Sequence, residues 1–186
     1  HSTGTSATVP ASSFPYCSAG SYGGAIHNAG TSATISGSLF RTCYSGWNGG
    51  AVHNGGSTFA IRSSRFLECA AVNGGGAVFS GGNAAISSST FSGCSAGGYG
   101  GAIYYFHGTL LSVSSSSFAD CSAPAGGAIC DFTSPLLVTS SRFERCAAVS
   151  SDGGALYSDG ATTISATSFT DCTAENDGGA IAIGHL

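Results

Sequence analysis

The sequence predicts an all-β chain wound as a right-handed parallel β-helix, with about seven coils of 25–27 residues and three strands per coil. Three observations predict it. The string Gly-Gly-Ala followed by Ile, Val or Leu occurs seven times, and Phe-x-x-Cys occurs seven times at the same period. An apolar β-branched residue stands five positions before each of those phenylalanines. Such self-similarity marks a solenoid, whose repeats are too small to bury a core alone and stack on their copies.

Within one repeat the first element surrounds Val9, Ile35, Ile61, Ile86, Val113, Val138 and Ile164. Its spacing to the following Phe never varies, so this part is rigid. Its neighbours carry hydroxyls, as at Thr34 and Ser36, Ser112 and Ser114, and Thr163 and Ser165, and strand alternation turns these outward. Ser38, Ser64, Ser89, Ser116 and Ser141 stand two residues before Phe, where a side-chain hydrogen bond caps a corner. The second element carries Phe14, Phe40, Phe66, Phe91, Phe118, Phe143 and Phe169, a second inward row. The third follows Gly23, Gly49, Gly75, Gly100, Gly126, Gly153 and Gly178, which open the Gly-Gly-Ala strings at steps of 26, 26, 25, 26, 27 and 25 residues. It points Ile26, Val52, Val78, Ile103, Ile129, Leu156 and Ile181 inward. The paired glycines allow positive φ or a thin wall. Length varies only from Cys to Gly-Gly (five to seven positions) and from Gly-Gly-Ala-Ile to the next apolar residue (eight to ten), so loops and strands separate. Nothing repeats at the 3.6-residue period of a helix. Each buried apolar side chain contributes about 1.5–3 kcal/mol, and some twenty of them make a core.

Composition narrows the function. Charged residues are 8% of the chain, against about 25% in an ordinary soluble domain. All five basic residues are arginines and the formal net charge is −4, which argues against nucleic acid as a partner. No apolar run approaches the roughly 18 residues of a membrane span. Eight cysteines among so few charges point to an exported, extracellular or cell-surface protein. Residues 1–186 read as a single β-helix domain of a longer chain or assembly, since His1 falls in mid-repeat. The partners expected at its ends are neighbouring β-helix segments or further copies of the chain.

The first motif stands as GGAIHN, GGAVHN, GGAVFS, GGAIYY, GGAICD, GGALYS and GGAIAI, and the second as FPYC, FRTC, FLEC, FSGC, FADC, FERC and FTDC. Together they resemble the polymorphic outer membrane protein repeat of bacterial autotransporter adhesins, which carries GGAI and FxxN in each coil. The resemblance covers nearly the whole chain and implies surface exposure and adhesion. Cys stands here where that family has Asn, and this variant is similar to repeats in secreted proteins of algae and other protists.

Four features bear on chemistry. The first is the row Cys17, Cys43, Cys69, Cys94, Cys121, Cys146 and Cys172. It is either a stack of buried thiols or a set of disulfides between neighbouring coils. Cα atoms one coil apart suit a disulfide, but the Cβ atoms are wider than its preferred separation of about 3.8 Å. Cys130 lies off the row and by alternation faces outward, as a free thiol or a link to another chain. The second is an outward row of His1, His27, His53, Phe79, Tyr104, Cys130, Tyr157 and Ala182. Its rings either stack as ordinary β-surface or offer a strip to glycans or a protein partner. Its histidines lack the carboxylates that usually support a metal, and no metal or other cofactor is expected. The third is the hydroxyl array of the first element, which suits ice binding except where Ala60, Arg62, Ala85 and Leu137 interrupt it. The fourth is the carboxylates. Glu68, Asp120 and Asp171 precede ladder cysteines on non-adjacent coils, and only Asp152, Asp159, Glu175 and Asp177 gather. A polysaccharide lyase or hydrolase needs grouped acids, so the expected function is a non-enzymatic structural or adhesive module of a surface fibre. The alternatives are a carbohydrate-binding or polysaccharide-cleaving protein, and an ice-binding protein.

Overall fold

The structure is a computed structural model that describes residues 5–132 and 134–184. His1, at the head of the outward row, lies outside the described residues. The described chain is all strand and turn, and every strand pair is parallel. It forms four sheets of seven strands each, so a coil has four strands and not the three expected. The extra sheet is the run of two-residue strands that starts at Ser18–Ala19 and ends at Thr173–Ala174. It follows each ladder cysteine and buries Ala71, Ala96, Ala123 and Ala148. A two-residue strand bearing alanine carries almost no hydrophobic signal, which is why it escaped the sequence reading.

In the three predicted inward rows the register matches residues in kind as well as in position. Ile35 pairs with Ile61, Phe40 with Phe66, and Val52 with Val78. The three predicted inward rows are buried through the middle coils and only partly buried at Val9, Phe14, Ile26, Ile164, Phe169 and Ile181. A further inward row lies two residues before the first: Ala33, Phe59, Ala84, Leu111 and Leu136.

Each coil turns at single residues held at positive φ. One corner precedes each capping serine, as at Ser63, Ser88, Ser115 and Ser140, with φ of 48–50°. A second precedes each ladder cysteine, as at Thr42, Glu68, Asp120 and Asp171, with φ of 51–55°. The third is the first glycine of each Gly-Gly pair, with φ of 56–69°. A non-glycine residue in this region costs roughly 1–2 kcal/mol, so these corners persist because the surrounding ladders hold them. The second glycine of each pair serves another purpose: a Cβ on Gly76 would stand 2.2 Å from the carbonyl oxygen of Gly101 in the next coil. Both expectations for the glycine pair hold, one for each residue.

The capping serines do more than close a turn. The Ser89 hydroxyl donates to the Ser87 carbonyl at 2.8 Å and accepts the Ser64 N–H at 3.1 Å. Ser64, Ser116 and Ser141 repeat both bonds, with Thr167 accepting the N–H of Ser141. A continuous hydroxyl ladder thus runs beside the core, joined to it at every corner. Ser89→Ala should cost about 1–3 kcal/mol, because it strands the buried N–H of Ser64. Urea unfolding followed by circular dichroism measures this, and a loss no larger than for an outward serine would remove the ladder's structural role.

Candidate functional site

The outward row begins as a stack of rings. His27 and His53 lie 5.0 Å apart, His53 and Phe79 lie 4.6 Å apart, and Tyr22 joins from the side at 4.5 Å from His53. The interplanar angles of 29° and 15° show that His53 has its two faces against its two neighbours. A sugar ring or a partner's aromatic group needs such a face. Parallel register therefore builds the row and consumes most of its stacking capacity in the same step. Beyond Phe79 the geometry changes, since Tyr104 is turned 65° to it.

Tyr104, Cys130 and Tyr157 point away from the solenoid core, as alternation requires, but they are buried and not exposed. Phe106 and Phe132, in the turns that follow the strands Ile103–Tyr105 and Ile129–Asp131, pack over them with Phe79 and Tyr99. Cys130 is a free thiol, one of the two expectations for it, but this small second core buries it, which corrects its expected surface position and the alternative of a link to another chain. The second core also removes Tyr104 and Tyr157 from any exposed strip. Burial pushes the Cys130 thiol well above its ordinary range. The signal was present in Tyr104 and Phe106, which flank the inward Tyr105 and both lie on the outer side of the strand. His27 alone of the five expected binding residues is exposed, while His53 and Phe79 are half-buried.

The stack tunes His53. Burial, and then the nearby charge of His27, lower it to about 4 from its ordinary 6.5. The fold therefore holds the neutral ring. Above pH 6.5 neither state gains a proton and stability is unaffected. As pH falls from 6.5 to about 4 the unfolded chain takes up a proton that the folded chain refuses, so stability falls; below about 4 that loss is complete. The loss is of the order of 1–3 kcal/mol. His53→Phe keeps a ring in the stack, and its melting temperature should fall less between pH 6.5 and 4 than that of the unaltered chain.

All seven ladder cysteines are thiols in this structure, as is Cys130. Cys43 to Cys146 are buried, while Cys17 and Cys172 at the ends are half-buried. The neighbouring Cys121 thiol and full burial hold Cys94, at the middle of the row, well above the usual thiol range.

Two of the carboxylates, Asp120 and Glu144, are tied to arginines. Arg145 binds Asp120 through two hydrogen bonds of 2.7 and 3.0 Å and also contacts Glu144, which Arg142 holds at 2.7 Å. These bonds hold the Asp120 and Glu144 carboxyls below their ordinary range. Among the described residues no three His, Cys, Asp or Glu side chains converge on a metal position. The outer face of the first sheet is not a flat hydroxyl array: it is indented by an open groove of about 280 Å³ beside Thr34, Ala60, Ala85 and Ser112, with Thr58, Asn83 and Leu110 at its margin.

Residues 21–185 match the family described as the right-handed β-helix region. No curated protein and no solved structure matches the chain.

Proposed function

The chain belongs to the right-handed β-helix family, and on that premise we propose that it is a non-enzymatic structural or adhesive module of an extracellular surface. The observation that carries the reading is the use of conspicuous side chains in the rod itself. Rings stack on rings, serines bond serines, and Asp120 and Glu144 are tied to arginines. What remains is a stiff scaffold with low charge. The resemblance of its motifs to repeats of surface adhesins and secreted proteins supports the same reading. The rows that are sealed in the middle coils are only partly buried at Phe14 and Phe169.

A glycan-binding role is the second reading. It is favoured by the groove on the first sheet, where hydroxyls border a mostly apolar floor, rather than by the ring row. Beads coated with the protein should adhere to cell or wall surfaces, and the protein should release no reducing or unsaturated ends from acidic and neutral polysaccharides. Turnover of any of those polysaccharides would overturn the structural reading. Adhesion abolished by a soluble oligosaccharide and by Ala85→Trp, which fills the groove, would favour the second reading.

A further inference from the structure

We propose that neighbouring cysteines of the buried row form two-coordinate sites for a soft d10 cation, held between the sulfurs of successive coils. Every ladder sulfur is oriented alike. Each donates to the carbonyl two residues before it, at 3.4–3.7 Å. From Cys43 to Cys146 each also lies 3.2–3.9 Å from the carbonyl oxygen of the phenylalanine one coil earlier. Identical contacts mean that the sulfurs repeat at the coil step. The phenylalanine stack, three residues away in each coil, gives that step as 4.7–4.9 Å.

That separation discriminates between the bonds the row can make. A disulfide is about 2.05 Å long, so forming one would bring two sulfurs together by more than half their separation against an intact ladder. A metal–thiolate bond is about 2.3 Å, and two in line span about 4.6 Å, close to the coil step. The row therefore fits a linear S–metal–S unit with little movement. It does not fit zinc, which takes four ligands in a tetrahedron, because only two sulfurs flank each step. Soft sulfur donors favour soft cations.

Charge narrows the class further. Cys69, Cys94, Cys121 and Cys146 are fully buried, and an unpaired charge is costly there. A divalent cation displaces one proton from each of two thiols, forms two metal–sulfur bonds and leaves a neutral unit, with both protons passing to solvent. No electron is transferred. A monovalent cation at the same place leaves one negative charge. Mercuric ion is thus the best-matched member of the class, and silver ion a weaker one. Seven sulfurs in a row make three separate pairs. Filling starts at Cys17 and Cys172, the half-buried ends.

The test is titration of the reduced 186-residue protein with mercuric ion in the presence of free cysteine as competitor. Proton release and X-ray absorption at the metal edge are followed. The expected result is about three ions retained per chain, two protons released per ion, and two sulfur neighbours at one short distance. Cys130→Ser should leave all three values unchanged. Silver ion should be held at least tenfold more weakly against the same competitor, and zinc should be lost to it. Substituting Cys43, Cys94 and Cys146 together by alanine interrupts every pair and should abolish retention; if that variant does not fold, absorption on the unaltered chain still decides the coordination. Retention of a single ion that Cys130→Ser removes would overturn the proposal. So would a shell completed by the competitor's sulfur, or zinc held as firmly as mercury.

Discussion

Gly101→Ala is expected to lower stability by about 4 kcal/mol or more, at the upper end of single-substitution effects. A Cβ at this position would stand 2.2 Å from the Gly127 carbonyl oxygen and 2.6 Å from the Ser122 backbone nitrogen. Both obstacles are backbone, and they belong to coils held in register by the Gly101 N–H to Gly126 and Ala102 N–H to Ala128 bonds. Neither can retreat without opening the ladder on one side. Gly93→Ala is the matched control. Gly93 sits at a corner with φ of +63°, and a Cβ there would meet nothing nearer than 3.6 Å. Its cost should be about 1 kcal/mol, from conformation alone, and Thr42, Glu68 and Asp120 already occupy the equivalent corner in other coils. Urea denaturation followed by circular dichroism compares the two. Equal losses would show that the glycine pair is needed for backbone freedom and not for close approach between coils.

Most of the fold was legible because a solenoid writes its architecture as a period. The invariant spacing from Ile35 to Phe40 and from Ile61 to Phe66 identified the rigid face, and those residues are fully buried. What was hidden obeyed no such rule. The extra sheet of two-residue strands needs only a buried alanine, as at Ala96, and alanine is too small to announce a strand. The corners at Glu68 and Asp120 lie at positive φ, although neither residue type prefers it as glycine does; the ladders on either side decide. Propensity is local, and in a coil of 25–27 residues the inter-coil bonds outweigh it.

The candidate site was legible in position but not in exposure. Alternation correctly turned Tyr104, Cys130 and Tyr157 away from the core. Whether an outward residue meets water depends on what folds over it, and Phe106 and Phe132 supply a cover from turns that do not repeat. A period describes only what every coil shares, so the non-repeating turns are where a sequence reading of this chain loses sight of the surface. The cysteine row shows the opposite case. Its spacing was readable, but only the common orientation of its sulfurs against the Phe40 and Phe66 carbonyls distinguishes a row of thiols from a set of disulfides.

Phe66→Ala should cost about 3–5 kcal/mol. The Phe66 ring is fully buried and lies between Phe40 at 4.7 Å and Phe91 at 4.8 Å, within 2–3° of parallel to both. Aromatic rings prefer offset or edge-on arrangements to such stacking, so the register of the strands imposes the geometry and the gain comes from burial and dense packing. Removing one ring leaves a cavity between two others that the flanking ladders prevent from closing. Phe66→Leu should recover more than half of the loss by refilling that volume. Ser114→Ala, on the outer face of the first sheet and half-exposed, should cost less than about 0.5 kcal/mol. Phe14→Ala should cost less than Phe66→Ala, because its ring is only partly buried. Each coil touches only its neighbours, so the damage should also be local. Hydrogen exchange should rise most in the strands around Phe40, Phe66 and Phe91 and little around Phe143. Equal losses for Phe66→Ala and Ser114→Ala would reverse the inside and outside of the coil. A uniform rise in exchange from end to end would show that the seven coils unfold as one cooperative unit rather than as a chain of neighbours.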